Sequence, residues 1–302
     1  MRSIWLGLLL LFTAPAWAQP AGIVARAWTV IDSASGRELG SHQADLPLAP
    51  ASLTQLMTAY VLFGDLAKNK LTLVEPIKIP DAATQVDGAR VFLKPGEEVS
   101  VDTLIQAMLL QSAVDATLAL VVGSDGSEAA FVARMNREAK RLGLTRTRFM
   151  NATGLSEPGH ESSAGDLARL ARALARDFPA RMAYFAQKEL AFKGITYYNG
   201  NRLLWRDRTV AGLKVGRTTE AGYCIVASAQ RGEQRRIAVV LGSRSDAQRT
   251  QDALRLLNYG FENFDSVLLY RAQQPVKVVS LYRGTRASVS IGFTEDFHLL
   301  AP

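Results

Sequence analysis

The stretch ASLTQLMTAY, Ala51 to Tyr60, decides how this chain is read. Leu53, Leu56, Met57, Tyr60, Val61 and Phe63 fall largely at helical spacing, so a helix with a buried apolar face is expected to begin near Ser52. A serine at that end can expose its hydroxyl beside free backbone N–H groups and the positive end of the helix dipole. Both favour negative charge developing on a tetrahedral intermediate. Position 55 lies nearly one turn further on and projects from roughly the same face. A lysine there could take the serine proton if burial and cationic neighbours depressed its pKa. Gln55 cannot, because a carboxamide has no usable basicity near neutral pH. Ser-x-x-Gln ahead of an apolar helix also matches a capping box, in which Ser52 and Gln55 satisfy each other's backbone N–H groups. The stretch alone leaves both readings open.

Two later segments extend the first. AMLLQSAVDATLAL carries Ser112-Ala113-Val114, and VAGLKVGRTTEAGYCIVASA carries Lys214-Val215-Gly216-Arg217-Thr218. In this order the three segments resemble the penicillin-binding D-alanyl-D-alanine carboxypeptidases, whose patterns are Ser-x-x-Lys, Ser-x-Asn and Lys-Thr-Gly followed by His-Thr. VFLKPGEEVSVDTLIQAML, FVARMNREAKRLGLTRTRFMNATGL, HESSAGDLARLARAL and NRLLWRDRTVAGLK resemble the family too, so the likeness runs from about Val24 to Phe264. It implies a β-lactamase/transpeptidase-like domain over 19–265, an α/β (α+β) fold with the cleft between a helical cluster and an antiparallel sheet. By the same resemblance Ser52 is the nucleophile, Ser112 a proton-relay candidate, and Lys214 a carboxylate anchor and second candidate base. The backbone N–H groups of Ser52 and Arg217 would form the oxyanion hole, with Gly216 and Thr218 on the substrate-binding strand.

Each motif departs where the family uses chemistry. Gln55 replaces the motif lysine, Val114 the asparagine that helps hold substrate, and Val215 the threonine that contacts the terminal carboxylate. Arg217 stands where a histidine is common and adds positive charge beside the carboxylate site. Losing a general base forfeits roughly 10²–10⁴-fold in rate, and groups acting as a unit can cost about 10⁶-fold when one is lost. The expectation is a pseudo-enzyme of peptidoglycan metabolism that still binds stem peptides ending in D-Ala-D-Ala. The alternatives are a slow serine-type carboxypeptidase using Ser52 with Lys214 as base, and a structural or regulatory cell-wall protein with an unused cleft and a protein partner.

Length and composition fit an exported globular protein. The 302 residues are 48% hydrophobic, enough for a sizeable core. Arg2, the apolar run Ile4 to Phe12 and Ala16-Trp17-Ala18 form a secretory signal over 1–18, cut between Ala18 and Gln19 and directing the chain to the periplasm. The formal charge of +7 suits an anionic wall or membrane surface, or solubility charge spread over helices. No finger, RNA-binding aromatic signature or dense basic arm points to nucleic acid. Cys224, the single cysteine, excludes an intramolecular disulfide and sits in an apolar strand. His42, His160 and His298 lack Cys or Glu partners at ligand spacing, so neither metal nor other cofactor is expected.

The periodicities predict an opening strand over Val24–Ile31, a hairpin turn at Ser33–Arg37, and helices near 101–122, 128–142, 163–178 and 245–258. Strands are predicted near 208–214, 222–230 and 235–242. Asn151-Ala152-Thr153-Gly154 reads as a turn near the cleft, and Arg202, Arg206 and Arg208 as surface charge or a lure for a peptide carboxylate. The segment 266–302 resembles the opening strands of the family's β-rich second domain, without the amphipathic helix that tethers such proteins. No membrane anchor is expected. Its strands must pair with the first domain, pair with a partner, or stay exposed.

Overall fold

The computed structural model describes residues 20–301. The expected signal sequence lies outside them. Five antiparallel strands form the central sheet, in the order Glu38–His42, Ala27–Asp32, Gln234–Ser243, Gly222–Arg231, Val210–Thr218. Alternation along these strands gives the sheet two buried faces. Ile237, Val239 and Leu241 face the larger, helical core, whereas Ala238 and Val240 face a smaller core closed by the helix Asp246–Glu262. Successive side chains of one strand therefore serve opposite cores, and a one-residue slip in register would exchange them.

The hairpin turn falls where expected. The Asp32 carboxylate accepts from the Ser35 amide at 2.8 Å and the Ser35 hydroxyl at 2.6 Å, which fixes the chain reversal between the first two strands. Helices Glu128–Arg141 and Ala164–Asp177 also match expectation. Each starts at a serine, Ser127 or Ser163, whose hydroxyl accepts from the backbone N–H three residues on.

One expectation is corrected and one open reading is decided. The helix predicted over 101–122 is two helices, Val101–Gln111 and Val114–Asp125, separated at Ser112, whose φ is 57°. Leu109, Leu110, Ala113, Val114 and Ala116 are all buried around the break, so the apolar pattern runs through it unbroken. The capping box at Ser52 does not form. Residues Ala51–Thr54 make a 3-10 turn without a side-chain cap, and the α-helix begins at Gln55 and runs to Ala67. The Gln55 side chain bonds elsewhere.

Beyond the sheet, Asp265–Tyr270 pairs with Phe297–Ala301, and Pro275–Ser280 with Ser288–Gly292. The tail thus pairs its strands with one another. Its Ser266 hydroxyl reaches Asp32 at 3.4 Å, and Gln234 donates to Asp265 at 3.1 Å. Val278 and Ile291 remain exposed on these strands, and Tyr282 on the connection between them. Among the described residues no single helix is long and apolar enough to cross a membrane.

Candidate active site

The edge strand Val210–Thr218 passes directly beside the turn that carries Ser52. Gly216 makes that approach possible: a Cβ there would sit 2.8 Å from the Ser52 amide nitrogen and 3.0 Å from the Ala51 Cβ. Gly154 crowds the same turn from the other side, where a Cβ would lie 2.1 Å from the Ala51 carbonyl oxygen. Between these contacts Ala51 adopts φ 49°, a left-handed conformation that costs a non-glycine residue about 1–2 kcal/mol. The turn is also held by hydrogen bonds. The Thr54 hydroxyl donates to the Ala51 carbonyl at 2.8 Å and lies 2.8 Å from His160 Nε2. His160 Nδ1 accepts from the Met150 amide at 3.1 Å, so the ring carries its proton on Nε2 and donates it to Thr54. Burial pushes the His160 pKa down to about 4, with a smaller opposing pull from Glu157. The ring is neutral in its structural role.

Ser52, Ser112, Val114, Val215, Gly216, Arg217 and Thr218 all line one cleft of about 280 Å³. Every residue proposed for the site except Gln55 and Lys214 is in that lining, and those two are buried directly behind it. Thr153 and Gly154 join from the predicted turn, where the Asn151 side-chain oxygen accepts from the Gly154 amide at 2.8 Å. Val114 and Val215 leave the cleft open and add apolar surface to a wall that also carries Ser52, Ser112, Thr153, Arg217 and Thr218. The facing loop rests on Val114, whose amide donates to the Ala89 carbonyl at 2.7 Å. Asp115 secures that loop by accepting from the amides of Val91 and Leu93.

Gln55 is fully buried, and its amide nitrogen donates to the Ser112 carbonyl and the Thr117 hydroxyl, each at 3.3 Å. Its Oε1 is buried without a hydrogen-bond partner among the described residues, an arrangement that costs about 1–3 kcal/mol. Gln55 therefore ties the Ser52 helix to the joint between the next two helices, and it makes no hydrogen bond to Ser52.

Lys214 is 1% exposed. Its Nζ lies 2.5 Å from the Ser112 hydroxyl and 3.1 Å from the Leu109 carbonyl. Burial, aided by the positive charge of Arg249, pushes its pKa down to about 7, so a substantial fraction is neutral amine at neutral pH. Arg249 was not singled out from the sequence. The signal was its spacing with Ala253, Leu256, Leu257 and Gly260, which places it on the buried face of its helix. From there it donates to the carbonyls of Gly216 and Cys224 at 2.9 and 3.1 Å and pairs with Asp246 at 2.6 Å. It thereby fixes the end of the Lys214 strand against its neighbour. Arg217 stays exposed at the cleft mouth over the Tyr223 ring. Arg202 pairs with Asp246 at 2.9 Å on the surface.

A serine on a strained turn, a serine–lysine pair facing it across a cleft, and a helical cluster against an antiparallel sheet define the penicillin-recognising serine acyl-transfer class. Comparison with known proteins agrees. A model of the D-alanyl-D-alanine carboxypeptidase peptidases matches residues 14–245, and the chain belongs to that family. It is 38% identical to D-alanyl-D-alanine carboxypeptidase DacC of Escherichia coli K12 over 298 residues, covering 96% of this chain and 74% of that protein. Against DacF of Bacillus subtilis the identity is 32% over 313 residues, covering 99% of this chain and 80% of that one. Among solved structures, penicillin binding protein 5 of Haemophilus influenzae superposes with a TM-score of 0.90 at 32% identity, covering 94% of this chain and 84% of that chain. Penicillin binding protein 6B of Escherichia coli gives 0.82 at 35% identity, covering 95% and 87%.

Proposed function

We propose that this protein is an exported, periplasmic D-alanyl-D-alanine carboxypeptidase homologue that binds peptidoglycan stem peptides ending in D-Ala-D-Ala and is catalytically dead or strongly impaired. The observation that carries this reading is Gln55. The position that should hold a base beside Ser52 holds a neutral amide, fully buried and bonded to Ser112 and Thr117. Binding asks less of the site than catalysis does. Arg217 and Thr218 remain in the lining to meet a peptide carboxylate, and Val114 and Val215 offer apolar surface to the alanine methyl groups. The relatives are named as carboxypeptidases, which supports the peptide class. A wall protein that takes over the bound peptide, or receives it, is the partner this reading implies.

A second reading has one observation in its favour. The Lys214 amine is largely desolvated, and its pKa near 7 suits a general base, which would permit slow hydrolysis through Ser52. Titrating the chain with an acyl-D-Ala-D-Ala peptide in a calorimeter, with released D-alanine assayed in parallel, separates the two. Binding heat without release is expected. Release at the rate of the Gln55→Lys, Val114→Asn, Val215→Thr revertant would overturn the proposal, and absence of heat would remove the peptide-binding part.

A further inference from the structure

The cleft retains one hydroxyl with a base in contact, and it is not the expected nucleophile. Lys214 Nζ is 2.5 Å from Ser112 Oγ, and its other partner is the Leu109 carbonyl. Ser112 is part-exposed, lines the cleft, and sits in the left-handed region between two buried helices, so its hydroxyl has a fixed place at the cleft wall. We propose that Ser112, rather than Ser52, is the acyl-accepting hydroxyl of this protein, with Lys214 as its base and a small activated ester as the donor it accepts.

The step balances without another reactant. Ser112 Oγ attacks the ester carbonyl as its proton passes to the Lys214 lone pair. The tetrahedral intermediate then collapses by breaking the carbonyl carbon–oxygen bond to the leaving group, which departs as a phenolate when the donor is an aryl ester. Acyl-Ser112, phenolate and the Lys214 ammonium result, and the ammonium gives its proton back to solvent. Val114 and Val215 supply apolar surface in the same cleft lining as Ser112, and Ser52 and Arg217 are polar members of that lining. Across the sheet the charged group facing Lys214 is Arg249; from the helix side it meets Ser112 and the Leu109 carbonyl. The inference depends on the functional reading only in taking Ser52 as unactivated.

The test is acetylation of the whole protein by p-nitrophenyl acetate, with intact-mass counting and peptide mapping. One acetyl group on the peptide containing Ser112 is expected, at a rate that falls about tenfold per pH unit below about 7, where Lys214 becomes protonated. Ser112→Ala should lower labelling at least tenfold, its folding checked by thermal melt. The mapping and the pH profile need no variant, so they decide the question even if that variant misfolds. Acetyl on Ser52 would overturn both this inference and the functional reading. Acetyl on surface lysines alone, or none, would overturn this inference and leave the functional reading standing.

Discussion

Gln55 donates from its amide to the Thr117 hydroxyl, 3.3 Å away on the helix Val114–Asp125. Both groups that receive its N–H bonds, the Ser112 carbonyl and Thr117 Oγ1, are acceptors that could equally hold an ammonium. Gln55→Lys should therefore fold and also remove the orphaned Oε1. It is expected to raise the acylation rate of Ser52 by roughly 10²–10⁴-fold, measured by stopped-flow labelling with a fluorescent β-lactam. An unchanged rate would show that the valines, not the missing base, limit the reaction.

The His160 contacts predict an acid-sensitive fold. Its folded pKa of about 4 lies below the ordinary 6.5, so the unfolded chain binds the proton more readily. That contribution is complete above pH 6.5 and is lost as pH falls towards 4, with a slope of up to about 1.4 kcal/mol per unit. Urea titrations at pH 7.5 and 5 should show the fall, and His160→Gln should flatten it.

Two glycines provide a matched test of crowding at the Ser52 turn. Gly154 has φ +88° with a Cβ position 2.1 Å from the Ala51 carbonyl oxygen, whereas Gly143 has φ +70° and open space around it. Gly143→Ala should cost about 1 kcal/mol for backbone conformation alone. Gly154→Ala should cost about 2–3 kcal/mol and shift the turn, which differential scanning calorimetry and the labelling assay would register together.

The Asp32–Arg236 pair is fully buried at 2.5 Å, and Arg236 also donates to the carbonyls of Gly260 and Phe264. It joins the first strand, the last sheet strand and the end of the final helix. Asp32→Asn leaves the guanidinium without its countercharge and should cost about 3–5 kcal/mol in denaturant unfolding. A paired replacement by apolar residues should cost much less.

The fold class was legible because near-continuous apolar runs near 222–230 and 235–242 mark strands buried on both faces, and the helices near 128–142 and 163–178 carry serine caps. Ser52, Ser112 and Lys214 were legible through motif order: Ser52 and Ser112 line one cleft, and Lys214 is buried behind it against the Ser112 hydroxyl. The break at Ser112 was not, since every side chain around it except Ser112 and Gln111 is buried whichever helix it joins. Nor was the role of Gln55 as a tie between helices. Local spacing favoured a cap with Ser52, and the winning partners lie 57 and 62 residues away. His160 was weighed only as a metal ligand. Its actual partners, Thr54 and the Met150 amide, are set by tertiary packing that no local pattern reports.

The most direct test of the account is intact-mass spectrometry of the protein after exposure to a β-lactam, beside the Gln55→Lys, Val114→Asn, Val215→Thr revertant, with any adduct mapped. The account predicts no adduct on Ser52 in the unaltered chain and a stoichiometric one in the revertant. A stoichiometric Ser52 adduct in the unaltered chain would contradict it, because the nucleophile would then be activated without a base at position 55.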